Sequence, residues 1–137
     1  MFNFFSLWYF FRIKLVKKKQ KNEGRGKMED KRILLCCGAG MSSGFLATAT
    51  AKAAMAKGYK WYVTAKSQSV AIDEMPDYDI CLLGPHFRSH LEEFKEAAKE
   101  MDSDVAIAVI PQDIYGNLDG AQLCEFAIEE MKKQGKF

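Results

Sequence analysis

From Lys31 onward the sequence alternates short apolar runs with longer amphipathic stretches. The run "RILLCC" is apolar throughout, which is typical of a parallel strand buried on both faces. The alanine-rich stretch "SSGFLATATAKAAMAKG" that follows predicts a helix with a glycine C-cap at Gly58. "YKWYVTAK" and "YDICLLG" predict two more strands, and "SQSVAIDEMPD" between them predicts a loop or a short helical turn.

The second half of the chain continues this alternation. After Pro85, apolar residues recur at steps of four and three, the period of one helix face: Phe87, Leu91, Phe94, Ala98 and Met101. "DVAIAVIP" predicts a fourth strand that ends at Pro111. The last helix is predicted to begin at Asp119, which can cap it while Gln122 reaches back in a capping box. Its predicted buried stripe is Leu123, Phe126, Ala127 and Met131.

Four strands separated by helices predict an α/β fold with right-handed crossovers. We expect a single three-layer domain, in which a four-stranded parallel sheet carries helices on both faces. Ligands of such sheets bind at the carboxyl ends of the strands. The stretch "LLCCGAGMSSG" lies at the first of these ends.

Composition narrows the class of protein. The chain has 137 residues, of which 48% are hydrophobic and 12% aromatic, so one compact domain with a substantial core is expected. The formal net charge is +2, and much of the basic surplus lies in "RIKLVKKKQKNEGRGK". The remainder is close to neutral or acidic, which argues against nucleic acid as a partner, because phosphate-backbone readers carry a basic face.

The N-terminal segment "MFNFFSLWYFFRIKLVKKKQK" is aromatic and apolar first and basic afterwards, the reverse of a secretory signal. Its apolar run is too short to span a bilayer, which takes about 20 residues. We expect residues 1–30 to be an N-terminal extension, either disordered or a translated leader ahead of a natural start at Met28. A membrane-surface anchor is the alternative. The folded domain is predicted over residues 31–135.

The four cysteines show no C-x-x-C spacing and no companion histidine cluster, so no metal is expected. Cys81 and Cys124 fall inside apolar patterns and are predicted to be buried thiols. Unpaired cysteines of this kind are typical of a reducing cytoplasm. Cys36 and Cys37 are adjacent at the end of the first predicted strand.

The stretch "CGAGMSSG" leads from a strand into a helix N-terminus. Such a junction aims several backbone N–H groups at one point, and the helix dipole adds positive potential there, so an anion site is predicted. Glycines in it permit backbone angles or close approaches that a Cβ would obstruct, and serines can add hydroxyl donors or cap the helix. The predicted phosphate-binding loop comprises Gly38, Ala39, Gly40, Met41, Ser42, Ser43 and Gly44.

Three kinds of phosphate site can be compared with this loop. A Walker A loop needs a lysine after its last glycine, and none follows Gly44. A dinucleotide fingerprint needs a third glycine, where Ser43 stands, and an acid after the second strand, which ends in "TAKS". The third kind places a thiolate at the floor of the loop, where N–H groups favour its ionisation. Cys37 is the predicted nucleophile, because the backbone leaves the strand there, whereas Cys36 is expected in the core.

A phosphate cradle with a cysteine floor is similar to that of the low-molecular-weight tyrosine phosphatases, whose signature is C-x5-R. Ser43 occupies the arginine position of this signature. Without the guanidinium that stabilises the transferring phosphoryl group, efficient hydrolysis is not expected. A phosphocysteine could then persist and be handed on. Two alternatives stay open: a cysteine-dependent phosphatase or arsenate-reductase-like enzyme, and a module that binds phosphate or sugar phosphate without covalent chemistry.

The stretch "ILLCCGAGMSSGFLATA" resembles the first strand and phosphate loop of enzyme IIB of the bacterial phosphoenolpyruvate-dependent sugar phosphotransferase system (PTS), lactose/cellobiose type. Three further segments resemble this family in order and spacing: "YDICLLGPHFRSHLEEFK", "VAIAVIPQDIYGNLDG" and "LCEFAIEEM". The resemblance covers Lys31 to about Lys133. It implies a fold like that of the low-molecular-weight tyrosine phosphatases.

The resemblance implies a cytoplasmic phosphoryl carrier that needs no cofactor. The family's cysteine, matched by Cys37, accepts a phosphoryl group from a phosphohistidine on the IIA partner. It delivers the group to a sugar during uptake through the membrane IIC permease, so the carrier would act transiently at the inner face of the membrane. Met41 favours the cellobiose or chitobiose branch of the family over the lactose branch.

Three residues outside the loop are candidate rim contacts to the phosphoryl group. His86 and Arg88 follow the third predicted strand, and Tyr115 follows the fourth. Both strand ends are expected at the edge of the sheet that carries the loop. A solvated helix start is the alternative for His86, and docking of a partner protein is an equal alternative for Arg88 and Tyr115.

Overall fold

The computed structural model describes residues 30–36 and 41–137, except for the side chains of residues 41 and 42. The predicted extension therefore lies outside the described residues, apart from residue 30. The described part contains four strands and five α-helices, with short 3-10 helices at Met75–Asp77 and Pro85–His90. In chain order they are β1 Arg32–Cys36, α1 Met41–Ala56, β2 Tyr62–Lys66, α2 Gln68–Glu74, β3 Ile80–Leu83, α3 Leu91–Glu100, β4 Ala106–Val109, α4 Gln112–Gly116 and α5 Gly120–Lys133.

The strands form one sheet in the order β2-β1-β3-β4, and all neighbours are parallel. β1 is a central strand and pairs with β2 from Arg32↔Tyr62 to Cys36↔Lys66. Four of its five residues are fully buried, which explains why its sequence is a continuous apolar run rather than an alternating one. The predicted four-stranded parallel sheet is confirmed.

Helices cover both faces of the sheet, because alternate side chains of β1 point to opposite sides. Ile33 and Leu35 pack in a cluster with residues of α1 and α5. Leu34 and Cys36 pack in a second cluster with residues of α2 and α3. Three layers result, as predicted. The thiols of Cys36, Cys81 and Cys124 are all buried, so the core placement of these three cysteines is confirmed.

α1 ends as predicted, at a glycine in the left-handed conformation. Gly58 has φ +87°, its N–H donates to the carbonyl of Met55 at 2.9 Å, and the N–H of Tyr59 donates to the carbonyl of Ala54 at 2.9 Å. These two bonds form a Schellman motif, which needs a residue that tolerates positive φ. Within the described ranges, no helix has the length and apolar character needed to cross a bilayer.

Several local predictions differ from the structure. Between β2 and β3, residues 68–77 are helical, as α2 and a 3-10 helix, where a loop or a short helical turn was predicted. The helix predicted after Pro85 is a 3-10 helix up to His90, and α3 begins at Leu91. Part of its predicted apolar face, Phe87, Leu91 and Met101, is only partly buried.

At the start of α5 the predicted capping box forms only in half. The carboxylate of Asp119 accepts the N–H of Gln122 at 3.0 Å. The N–H of Asp119, however, donates to the carbonyl of Ile114 at 3.1 Å, so Gln122 does not satisfy it. This carbonyl belongs to α4, a short helix that the apolar pattern did not predict. Phe126 is only partly buried, whereas Cys124 and Ile128 complete the buried face of α5.

A testable consequence concerns alkaline pH. Burial raises the pKa of the Tyr78 phenol above its usual 10.0 and the pKa of the Cys124 thiol above its usual 9.0. Both groups then hold a proton more tightly in the folded than in the unfolded state. The free energy of unfolding should therefore fall as pH rises above about 9, where the unfolded chain begins to lose these protons.

Urea unfolding between about pH 7 and pH 11 measures this slope. Tyr78→Phe keeps the ring stacked on Tyr62 and close to the guanidinium of Arg32 while it removes the titration. The variant should show a shallower decline than the wild type above about pH 10. Equal declines in the two proteins would contradict the prediction.

Candidate functional site

The predicted phosphate loop lies at the carboxyl end of β1. β1 ends at Cys36 and α1 begins at Met41. Cys37, Gly38, Ala39 and Gly40 lie outside the described residues, and so does the side chain of Ser42. The structure therefore describes the residues at both ends of the loop: the end of β1 and the start of α1.

Cys36 is the last residue of β1 and lies at the strand end of the loop. Its side chain is fully buried in the cluster under α2 and α3. Its carbonyl accepts the N–H of Gly84 at 3.0 Å, and this bond continues the β1–β3 ladder for one residue past the end of β3. The turn after β3 is thereby held beside the residue that precedes Cys37.

The first turn of α1 forms the other end. The serines of the loop were expected to add hydroxyl donors or to cap the helix. Ser43 is the third residue of α1 and only 4% exposed, so it is not the capping residue. Gly44 is helical and its φ is not positive, so a left-handed backbone is not the reason for this glycine. No described atom lies within 4 Å of a Cβ added to Gly44, which leaves space on the exposed side of this turn. The first N–H groups of a helix lack partners within it, so they are available to an anion.

Two of the three predicted rim residues lie together. The rings of His86 and Tyr115 meet edge to face with their centroids 5.5 Å apart. The His86 ring also packs on Gly84, where an added Cβ would lie 2.9 Å from its Cε1 atom. Arg88 lies two residues further along the same 3-10 helix with its side chain exposed, and it is not part of this ring contact. Contact of any of the three with a phosphoryl group stays a prediction.

A crevice beside this rim was missed by the sequence reasoning. It has a volume of about 430 Å³ and is lined by Ser67, Gln68, Ser69, Ile72, Phe87 and Glu93. The first three directly follow β2 or begin α2, and Phe87 belongs to the 3-10 helix after β3. The available signal was topological, because both segments follow strands that end at the same edge of the sheet.

Hydrogen bonds join the two sides of this crevice. Nδ1 of His90 donates to Oε1 of Glu93 at 2.9 Å, since a carboxylate can only accept. The amide nitrogen of Gln68 donates to the same oxygen at 3.3 Å. α2 and α3 are thus connected across the crevice through one carboxylate.

The architecture defines a class of protein. In the sequence, the buried parallel strand β1 is followed by a cysteine and two glycines among four residues, and α1 begins directly after them. Three-layer α/β proteins with such a strand–helix junction are suited to binding anions there.

Comparison with known families identifies the chain more closely. The family described as "PTS system, Lactose/Cellobiose specific IIB subunit" matches residues 32–126. The chain belongs to this family, so it is a IIB sugar phosphotransfer component of the phosphotransferase system. The resemblance noted from the four sequence segments is confirmed.

Individual relatives agree with this membership. The oligo-beta-mannoside-specific EIIB component of Bacillus subtilis (strain 168) is 34% identical over 105 residues, which are 76% of this chain and 99% of the relative. The cellobiose-specific IIB component of Borrelia burgdorferi has a TM-score of 0.61 at 27% identity, covering 77% of this chain and 94% of its own. The lactose-specific IIB domain of Streptococcus pneumoniae shares the fold, with a TM-score of 0.65 at 22% identity. The match covers 74% of this chain and 97% of that domain. These domains share the fold of the low-molecular-weight phosphatases, as predicted.

Proposed function

We propose that the protein carries a phosphoryl group on Cys37, within a domain that spans residues 31–135. Cys37 accepts the group from a phosphohistidine of the IIA partner and passes it to a sugar during uptake through the IIC permease. The protein works in the cytoplasm and meets the permease at the inner face of the membrane. The observation that carries the proposal is position: Cys37 follows the last buried residue of a central strand and precedes the start of α1 by four residues.

Burial of the other thiols supports this choice of cysteine. Cys36, Cys81 and Cys124 are each fully buried, and Cys36 faces the cluster under α2 and α3. A nucleophile must approach the phosphorus atom in line, which a thiol enclosed in a packed core does not do. In the chain, Cys37 lies between the end of β1 and the start of α1. N–H groups at a helix start stabilise a thiolate, which supports Cys37 as the nucleophile.

The transfer has two steps. In the first, the Cys37 thiolate attacks the phosphohistidine in line, the S–P bond forms, the N–P bond breaks, and the imidazole leaves. Backbone N–H groups between Gly38 and Gly44 take up the phosphoryl charge, so positioning and electrostatics carry the step without a metal. In the second, a sugar hydroxyl attacks the phosphorus, the O–P bond forms, the S–P bond breaks, the Cys37 thiolate leaves, and the proton of the hydroxyl passes to solvent.

The buried serine at position 43 supports a carrier over a hydrolase. A phosphatase of similar fold would have an arginine at this position, and its guanidinium would stabilise the transition state of hydrolysis. Ser43 is 4% exposed and carries no charge. The phosphocysteine should therefore survive until an acceptor arrives.

The proposed sugar is a β-linked disaccharide or short oligosaccharide. The names of the relatives specify oligo-beta-mannoside, cellobiose and lactose. These carbohydrates share β-glycosidic linkages and neutral charge. We propose a carbohydrate with these two features as the sugar for this chain.

Transfer of labelled phosphate from phosphorylated IIA tests the proposal. Wild type, Cys36→Ala and Cys81→Ala should acquire label at rates within about threefold of one another, whereas Cys37→Ser should acquire none. Circular dichroism checks that each variant is folded, since Cys36 and Cys81 are buried. Label that survives in Cys37→Ser and vanishes in Cys36→Ala would overturn the assignment. Repeated release of inorganic phosphate without sugar would instead indicate a phosphatase.

A further inference from the structure

We infer that the crevice between the start of α2 and the Pro85–His90 helix is a subsite for the sugar acceptor, so that this chain contacts the carbohydrate itself. The role of this subsite in phosphoryl transfer rests on the proposed function. Binding of a sugar to the crevice can be tested without it. The crevice is lined by side chains of both segments and of α3: Ser67, Gln68, Ser69, Ile72, Phe87 and Glu93.

The location of the crevice follows from strand order. β1 lies between β2 and β3, and the two segments that form the crevice follow β2 and β3. The crevice therefore spans the carboxyl end of β1. Ile72 and Phe87 both pack against the buried cluster that contains Cys36, the residue before the proposed nucleophile. A sugar in the crevice would lie near the end of β1, and the proposed phosphoryl carrier is the next residue in the chain.

The apolar side of the crevice suits a sugar ring. Phe87 is flanked by the rings of His86 and His90, with centroid distances of 4.8 and 5.5 Å, so its orientation is constrained on two sides. A pyranose ring has an apolar C–H face that packs on aromatic rings. Ile72 extends this apolar surface. Binding sites for small molecules commonly combine such a surface with a few polar groups that determine orientation.

The polar side of the crevice offers both donors and acceptors. Ser67 precedes α2, but its side chain does not cap the helix, so the hydroxyl is not used in that way. Oε1 of Glu93 accepts from Gln68 and His90, which orients the carboxylate and leaves Oε2 to accept from a sugar hydroxyl. The amide oxygen of Gln68 is a further acceptor. Sugar hydroxyls donate and accept, so this mixed set matches them.

Charge selects a neutral ligand. Among the residues that line the crevice, Glu93 bears the formal charge, and it is negative. The described residues of the lining include no lysine or arginine that would bind a free phosphate or a nucleic acid. The volume of about 430 Å³ lies within the usual range for small-molecule sites and admits one or two sugar rings.

Binding of cellobiose to the unphosphorylated full chain tests the subsite directly. In NMR titrations, cellobiose should shift the amide signals of Gln68, Phe87 and Glu93, and the α-linked isomer maltose should shift them less. Glu93→Gln and Gln68→Ala should weaken cellobiose binding about tenfold. Glu96→Gln is the matched control, since it removes an exposed carboxylate further along the same helix. Absence of these shifts at about 100 mM cellobiose would overturn the proposal.

Measuring the two half-reactions, uptake of phosphate from IIA and transfer of phosphate to the sugar, distinguishes a sugar subsite from a surface that docks partner proteins. Glu93→Gln should take phosphate from IIA at the wild-type rate, and its transfer to cellobiose with membranes containing IIC should fall at least tenfold. Equal losses in both half-reactions would show that the crevice binds partner proteins, and the proposal would be wrong. If wild type takes no label from IIA, the proposed function fails, but the titration still decides the subsite.

Discussion

Alanine at position 120 is expected to lower the free energy of unfolding by about 2–3 kcal/mol. Gly120 is the first residue of α5, and a Cβ built there would lie 2.3 Å from the carbonyl carbon and 2.5 Å from the carbonyl oxygen of Ala49. These atoms belong to the backbone of α1, so no side-chain rotation relieves the overlap. The two helices would have to separate over the cluster that contains Leu35 and Leu123.

Gly116→Ala is the matched control, because a Cβ at Gly116 meets no described atom within 4 Å. This variant should stay within about 0.5 kcal/mol of wild type in urea unfolding. Ala49→Gly should not rescue Gly120→Ala, since the closest contacts involve the backbone of Ala49 rather than its side chain. Equal stability of the two alanine variants would show that α1 and α5 do not approach this closely.

Brief treatment of the native protein with iodoacetamide should modify Cys37 at least about 100-fold faster than any other cysteine. Cys36, Cys81 and Cys124 are fully buried, and burial also raises the pKa of the Cys124 thiol. If the start of α1 holds Cys37 as a thiolate, its rate of alkylation should rise less than about threefold between pH 7 and pH 9. An ordinary thiol with a pKa of about 8.5 would rise about 20-fold over the same interval.

Mass spectrometry of the alkylated peptides measures both quantities. All four cysteines should react in concentrated urea, which confirms that burial protects three of them. Cys37→Ser is the matched variant and should remain almost unmodified in the native state. A 20-fold rise with pH at Cys37 would mean that the loop does not stabilise the thiolate, and the mechanism proposed for the first step would need a base.

The sequence predicted most of the fold because its signals were local. The continuous apolar run of β1 indicated burial on both faces, and Gly58 marked the end of α1. Asp119 marked the start of α5. Each of these signals depends on a few neighbouring residues whose backbone conformation or burial is set within one element.

Predictions that depended on more than one element were less accurate. The N–H of Asp119 bonds to Ile114 in a helix that the apolar pattern did not predict, so the expected capping box was incomplete. Capping was one of the roles considered for the serines of the loop, but α1 begins two residues before Ser43. Where a helix begins depends on the loop that precedes it and on the sheet beneath it, and neither is visible in a short pattern.

The order of residues along the chain was enough to identify a three-layer α/β domain of the PTS IIB family and to place Cys36 in its core, because periodicity and motif spacing are properties of the sequence itself. Tertiary structure alone brought His86 against Tyr115, placed Gly120 on the backbone of Ala49, and joined Gln68 to Glu93 beside a crevice. These pairs are 25 to 71 positions apart in the chain. Their contacts arise only when parallel strands align and the segments after them meet at one edge of the sheet.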